Sequence, residues 1–188
     1  GGIAKEYGCE TKLFHPYQKS NPTEKDLVKN IADFHPDILG ISSMTNTFNR
    51  SVELARKIKR ANPNVKVVFG GDHIGTNPSD VIKGNVIDIG VYGEGEATFK
   101  EILGGQDIES INGISFVKNK EVVINPPRKR VMDRTSLPLP ERDEEILKAA
   151  KVGIIMYPSP SEQTGVASLL FQFGCPLGCT YCSATTLY

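Results

Sequence analysis

The chain has 188 residues, of which 22 are basic and 22 acidic, so its formal net charge is zero. This balance gives no support for a sequence-independent hold on nucleic-acid phosphates. Apolar residues make up 39% of the chain, enough to bury a core, but no apolar run approaches the roughly 20 residues that span a bilayer. We therefore expect a soluble, cytoplasmic protein without nucleic-acid or membrane partners.

From the start to about residue 103, short apolar runs alternate with helical periodicity, which predicts an α/β domain. Residues 1–8 are expected to end a helix, and residues 11–14 to form a weak strand. Thr23 is expected to cap the next helix, with Asp26 as its capping-box partner. The elements predicted after this point are, in chain order, a strand at 37–41, a helix burying Phe48, Val52, Ala55 and Ile58, a strand at 65–69, a short helix begun by Pro78, a strand at 87–92 and a helix carrying Phe99, Ile102 and Leu103.

The part of the chain after this α/β pattern divides into three segments. Residues 111–124 predict a hairpin at the edge of the sheet, with its turn at 118–120, so we set the first domain at residues 1–124. A proline-rich, extended linker is expected over residues 125–165. Residues 166–188 are expected to begin another domain, whose first strand is predicted at 167–173.

The most specific chemical signal is a cluster of cysteines in this last segment. Cys175, Cys179 and Cys182 have the spacing C-x3-C-x2-C, with Tyr181 directly before the last cysteine. Thiolates suit zinc or iron–sulfur clusters, and three cysteines on a [4Fe–4S] cluster would leave one iron open to a substrate. Structural zinc would need a fourth ligand, and disulfides would need an oxidising compartment; the remaining cysteine, Cys9, lies far upstream.

This cysteine spacing resembles the cluster loop of the radical S-adenosylmethionine (SAM) enzymes. The resemblance implies that Cys175, Cys179 and Cys182 hold a [4Fe–4S] cluster, that its open iron binds SAM, and that Tyr181 contacts the adenine of SAM. It also implies an external electron donor such as flavodoxin or ferredoxin. Residues 166–188 would then be the first strand and cluster loop of a partial TIM-type barrel, most of which lies outside this chain.

Three predicted strands of the α/β domain end in loops rich in glycine and hydroxyl residues, where ligands bind open parallel sheets. The loops are Ser42-Ser-Met-Thr45, Gly70-Gly-Asp-His73 and Gly93-Glu-Gly-Glu96. Their order resembles the cobalamin-binding domain that precedes many radical SAM enzymes, a Rossmann- or flavodoxin-like parallel-sheet fold. The match covers about residues 5–103. The cobalamin contacts that it implies fall on Ser42, Met44, Thr45, Gly70, Gly71, Gly93, Glu94 and Gly95. Taken singly, each loop could instead be structural, as a tight turn or a helix cap.

The chain departs from the cobalamin-binding pattern in two places. The motif Asp-x-His-x-x-Gly, whose histidine binds cobalt from below, does not occur, so we expect cobalt without a protein imidazole. His73 lies at the edge of the site, as a ligand contact or as an ordinary loop residue. The first strand of the usual order, which is central to the sheet, is expected to lie outside this chain.

Together, these resemblances imply a cobalamin-dependent radical SAM enzyme. The expected activity is methyl transfer to an unactivated carbon through a 5′-deoxyadenosyl radical and methylcobalamin; the substrate is a small molecule or peptide, and this fragment alone is expected to be inactive. The alternatives are a radical SAM cyclase or ring-rearranging enzyme, and a cobalamin-binding carrier or sensor without SAM chemistry. A methylthiotransferase would need three more upstream cysteines. The basic residues 128–130 either meet a corrin anion or lie on a solvated linker face.

Overall fold

The structure is a computed structural model that describes residues 1–14, 23–129, 135, 137–138, 175 and 177–184. The strand predicted at 167–173 and most of the linker at 125–165 lie outside these residues. The described α-helices are α1 (Gly2–Glu6), α2 (Glu24–Asp33), α3 (Phe48–Ala61), α4 (Asp72–Thr76) and α5 (Gly95–Leu103). The strands are β1 (Ile38–Ser42), β2 (Lys66–Gly70), β3 (Ile89–Val91), β4 (Ile114–Lys118) and β5 (Glu121–Ile124). Two 3₁₀ helices span Pro78–Asn85 and Ile108–Ser110.

The strands form one five-stranded sheet in the order β1-β2-β3-β4-β5. The first three strands are parallel, and β4 and β5 continue the sheet as an antiparallel hairpin. The hairpin prediction is confirmed, and its turn residues Asn119 and Lys120 have φ values of 52° and 67°. Two successive positive φ values are the geometry of a type I′ turn, whose twist matches that of the flanking strands. The α/β prediction is also confirmed.

Two apolar clusters cover the two faces of the sheet. Because successive side chains of a strand point to opposite faces, Val67 and Phe69 of β2 belong to one cluster, whereas Val68 belongs to the other. Buried residues of α2, α3, α4 and the first 3₁₀ helix complete the first cluster. Ile102 of α5 packs against the second. The inner parallel strands β2 and β3 are therefore largely buried, as an α/β sheet requires, whereas β1 at the edge is only partly buried.

The helix signals of the sequence are largely confirmed. Thr23 accepts a hydrogen bond from the Asp26 backbone N–H at 3.2 Å, and the Asp26 carboxylate accepts one from the Thr23 N–H at 3.0 Å, which forms the predicted capping box. Pro78 begins a 3₁₀ helix. The strand predicted at residues 11–14 is wrong, because these residues pair with no strand in the described part of the chain. No helix among the described residues is long and apolar enough to cross a bilayer.

Candidate functional site

The carboxyl ends of β1, β2 and β3 lie side by side at one edge of the sheet. Ser42, the last residue of β1, is in register with Gly70, the last residue of β2, and Phe69 of β2 pairs with Gly90 of β3. The loops that follow these three ends form what we call the site rim, namely residues 42–45, 70–73 and 93–95. All eight residues predicted to contact cobalamin lie in the rim. They are Ser42, Met44, Thr45, Gly70, Gly71, Gly93, Glu94 and Gly95.

The first two loops of the rim are hydrogen-bonded to each other through their backbones. The Ser43 N–H donates to the Gly70 carbonyl at 3.0 Å, and the His73 N–H donates to the Ser43 carbonyl at 3.2 Å. Gly71 lies between these bonds with a φ of 87°, and a Cβ there would come within 2.8 Å of the Ser43 backbone nitrogen and oxygen. Glycine is therefore required at position 71 by the packing of the protein's own loops, as well as by its backbone conformation.

The glycines of the third loop are not required by close packing. Gly93 has a φ of 72°, but a Cβ built on it would meet no atom within 4 Å. Gly95 begins α5, and its Cβ would make only an ordinary contact of 3.6 Å with Val91 Cγ1. The backbone conformation demands glycine at 93, and the space beside it is open. Sterically, the structure permits a side chain at 95.

The rim offers groups that suit a large, amphipathic ligand. Ser42 and Thr45 are exposed hydroxyl residues, and the Met44 thioether is 48% exposed among them. The Ser43 hydroxyl is buried and has no hydrogen-bond partner among the described residues. Hydroxyls can donate to or accept from amides and phosphates, and a thioether offers apolar contact. This set fits a corrin ring edged with amides and carrying a nucleotide tail.

Behind the exposed hydroxyls, His73 is buried and bonded at both ring nitrogens. Its Nδ1 lies 3.2 Å from Thr45 Oγ1, and its Nε2 lies 2.9 Å from Asp80 Oδ2. The ring stacks on Phe48, the first residue of α3, with 3.9 Å between ring centroids. Sequence reasoning placed His73 at the edge of the site but missed this arrangement. Because both ring nitrogens already have partners within the protein, His73 is not positioned to bind a metal in this structure.

Asp80 links this histidine to a cation. Lys83 Nζ lies 2.7 Å from the same Oδ2 atom that His73 contacts. Partial burial acts to raise the pKa of the Asp80 carboxyl, but hydrogen bonds from Lys83 and His73 outweigh it and lower the pKa below its ordinary value. Asp80 is therefore an anion at neutral pH, and it offers only acceptor atoms to the histidine.

The three clustered cysteines lie outside the sheet domain in sequence, and the described part of the chain does not bring them together as metal ligands. Cys175 and Cys182 are exposed and Cys179 is half-buried, while the Cys182 N–H donates to the Cys179 carbonyl at 3.1 Å to close a turn. Among the described residues, no three His, Cys, Asp or Glu side chains are arranged to hold a metal ion. Tyr181 is 91% exposed. The donor chemistry suits a cluster, but this arrangement does not fit one.

The start of the linker is fastened to the sheet domain. Arg128 Nε donates to Thr98 Oγ1 at 2.9 Å, and its guanidinium pairs with Glu101 of α5. Thr98 is fully buried and itself donates to the Asn112 carbonyl at 3.1 Å. The expectation that residue 128 would meet a ligand anion or face solvent is therefore wrong for Arg128, because its charge is used within the domain. Arg130 lies outside the described residues.

Comparison with known proteins agrees with this geometry. The family model for the B12 binding domain matches residues 1–103. An uncharacterized methyltransferase of Pyrococcus horikoshii is 33% identical over 168 residues, which cover 87% of this chain and 35% of the relative. The cobalamin-dependent radical SAM methyltransferase TokK of Streptomyces tokunonensis is 29% identical over 82% of this chain and 23% of its own length.

A solved structure shares the fold. The radical SAM methyltransferase TsrM of Kitasatospora setae, solved with cobalamin and a [4Fe–4S] cluster bound, superposes with a TM-score of 0.58 at 20% identity, over 74% of this chain and 27% of TsrM. At this identity the likeness supports the fold alone. The chain spans only 35% and 23% of the lengths of the two curated relatives described above.

Proposed function

Because the chain belongs to the B12-binding domain family, we propose that it is the cofactor-binding part of a cobalamin-dependent radical SAM methyltransferase that acts on an unactivated carbon. The observation that carries this proposal is the presence, in one chain, of a B12-binding domain over residues 1–103 and of the cysteine triplet at 175–182. A methyltransferase relative covering 87% of the chain supports the reaction class.

The rim residues take the binding role in this proposal. Exposed hydroxyls at Ser42 and Thr45 would bond the polar edge of cobalamin, and the open side of Gly93 would allow close approach of the ligand to the backbone. The backbone bonds between the first two loops hold the rim before ligand binding. Cobalamin, when bound, supplies the methyl group; the protein binds and orients it.

The cysteine triplet would bind the second cofactor. Cys175, Cys179 and Cys182 would hold a [4Fe–4S] cluster with SAM, and Tyr181 would contact the adenine. Because the described arrangement does not fit a formed cluster site, we assign no reaction step to these residues. An external reductant, such as flavodoxin or ferredoxin, would supply electrons. Within the same enzyme class, the alternatives to methylation are cyclisation and ring rearrangement of the substrate.

We keep a second candidate function beside the enzyme. A protein that binds cobalamin through the rim and holds no cluster would act as a carrier or sensor. In that case the cysteine triplet would have no part in cofactor binding, whereas the methyltransferase relatives favour the enzyme.

Anaerobic reconstitution of the full-length protein with iron, sulfide and hydroxocobalamin tests both candidates. We expect four irons per chain together with the visible spectrum of a bound corrin. Corrin without iron would favour the carrier. Iron without corrin would contradict the assignment of the rim. Product analysis with SAM and a reductant would then separate methylation from cyclisation.

A further inference from the structure

A single buried ring connects the first two loops of the rim. His73 follows the Gly70-Gly71 turn, yet its ring reaches Thr45 in the loop after β1 and Asp80 in the 3₁₀ helix. Its backbone N–H also bonds the Ser43 carbonyl. These contacts show more than a satisfied core histidine, since one of the two ring nitrogens holds an exposed residue of the rim.

We propose that His73 is a positioning residue, which fixes the Thr45 hydroxyl so that it accepts a hydrogen bond from a side-chain amide of cobalamin. The proposal rests on the cobalamin-binding function proposed above. It adds that His73 orients the Thr45 hydroxyl, and that this hydroxyl accepts the hydrogen bond from the ligand.

The ring of His73 is held in one orientation. It is 6% exposed, stacks on Phe48 with an interplanar angle of 28°, and is bonded at both nitrogens. A stacked and buried ring that is tethered at both nitrogens loses its rotamer freedom before the ligand arrives. The cost of ordering this part of the site is therefore met by folding rather than by binding.

The position of the ring proton sets the direction of the bond to Thr45. Asp80 can only accept, so in the neutral imidazole the proton lies on Nε2 and Nδ1 is an acceptor. The hydroxyl of Thr45, 3.2 Å from Nδ1, then donates its only proton inward. The lone pairs of the hydroxyl oxygen then remain available to accept, and Thr45 is an exposed residue.

An acceptor at Thr45 is complementary to the edge of cobalamin. The edge of a corrin ring carries primary amides, whose N–H groups are donors, and an oriented acceptor in the rim is complementary to them. A free threonine hydroxyl could rotate to donate or accept and would discriminate less. The Asp80–His73–Thr45 series of hydrogen bonds thus sets the polarity of one contact, as partners behind a ligand often do.

The test is a titration of the full-length protein with hydroxocobalamin, followed by visible absorption, with thermal unfolding of the corrin-free protein measured alongside. Thr45→Val and His73→Asn should each weaken binding about two- to tenfold, the range of one net hydrogen bond. The double variant should bind no more weakly than the weaker single variant, because both changes remove the same contact. Thr45→Ser, which keeps the hydroxyl, should bind as the wild type does.

His35→Asn is the matched control for the histidine. His35 is exposed and precedes β1, at the opposite edge of the sheet from the rim, so its replacement should leave corrin affinity unchanged. Should His73→Asn fail to fold, Asp80→Asn serves in its place. It keeps the side-chain volume but can donate to Nε2, which would let Nδ1 donate to Thr45, and it too should weaken binding.

The possible results separate the two proposals. A wild-type protein that binds no corrin contradicts the proposed function itself. A wild-type protein that binds corrin, while Thr45→Val keeps full affinity, overturns only the present inference. The inference would also be overturned if the double variant lost the sum of the binding free energies lost in the two single variants. In that case Thr45 and its partner, His73 or Asp80, would act separately.

Discussion

Gly71 shows how a residue chosen for backbone geometry supports a binding site. Its φ of 87° and the 2.8 Å approach of a hypothetical Cβ to the Ser43 backbone leave no room for a side chain. We expect Gly71→Ala to lower the free energy of unfolding by about 1–3 kcal/mol, the usual cost of a strained backbone residue. It should also separate the two loops and weaken corrin binding. Chemical denaturation and a hydroxocobalamin titration measure the two effects.

Gly95→Ala is the matched control for stability. A Cβ at Gly95 meets only Val91 Cγ1, at 3.6 Å, at the first position of α5. Alanine there should leave the free energy of unfolding unchanged or raise it slightly, because it restricts the unfolded chain. If the two alanine variants were equally stable, the close packing of Gly71 against the serine loop would be wrong.

Asp80 makes the stability of the folded protein depend on pH. Its pKa in the folded protein is lowered from an ordinary value of 3.8, since the bonds from Lys83 and His73 outweigh the effect of burial. The ionised group therefore contributes stability above about pH 3.8, and this contribution is lost as the pH falls through the lower pKa of the folded state. We expect Asp80→Asn to flatten the acid limb of the unfolding midpoint against pH. Asp33→Asn, at an exposed position, should leave it nearly unchanged.

The secondary-structure elements that could be predicted are those whose own residues carry a clear apolar pattern. The strands β1, β2 and β3 were predicted because each coincides with a run of apolar residues. The runs are needed most in β2 and β3, which lie inside the sheet. Residues 11–14 contain only Leu13 and Phe14 as apolar residues, and Phe14 packs edge-on against Phe34 with 6.2 Å between centroids. This aromatic contact satisfies the apolar side chain without a strand partner.

The capping box of α2 is a local signal that can be tested alone. Thr23 and Asp26 bond each other's backbone N–H groups. We expect Thr23→Ala to lower the free energy of unfolding by about 1 kcal/mol, because it leaves a helix-terminal N–H without its acceptor. Thr23→Ser retains the hydroxyl and should stay within a few tenths of the wild-type value. Urea unfolding followed by circular dichroism measures both, and equal losses would contradict the role of the hydroxyl.

The arrangement of the molecule explains why the rim could be located from the sequence and its inner bonds could not. Strand order alone brings the loops after β1, β2 and β3 to one edge. The resemblance to the cobalamin-binding domain indicated which residues of these loops would contact the ligand. The partners of His73 come from Thr45 and Phe48, far earlier in the chain, and from Asp80, beyond α4. No local pattern connects them. The use of Arg128 within the domain likewise depends on tertiary contacts with Thr98 and Glu101.

The separation of the two candidate cofactor sites along the chain leads to a last prediction. Among the described residues, the sheet, its two apolar clusters and the Arg128 contacts all lie within residues 1–129, whereas the cysteine triplet begins at residue 175. Replacing Cys175, Cys179 and Cys182 by alanine in the full-length protein should therefore abolish iron binding and leave corrin affinity unchanged. Gly71→Ala should show the opposite pattern, with weaker corrin binding and normal iron content. Iron analysis and corrin titration of the same reconstituted samples measure both. Loss of both cofactors in either variant would mean that the two sites form one cooperative unit.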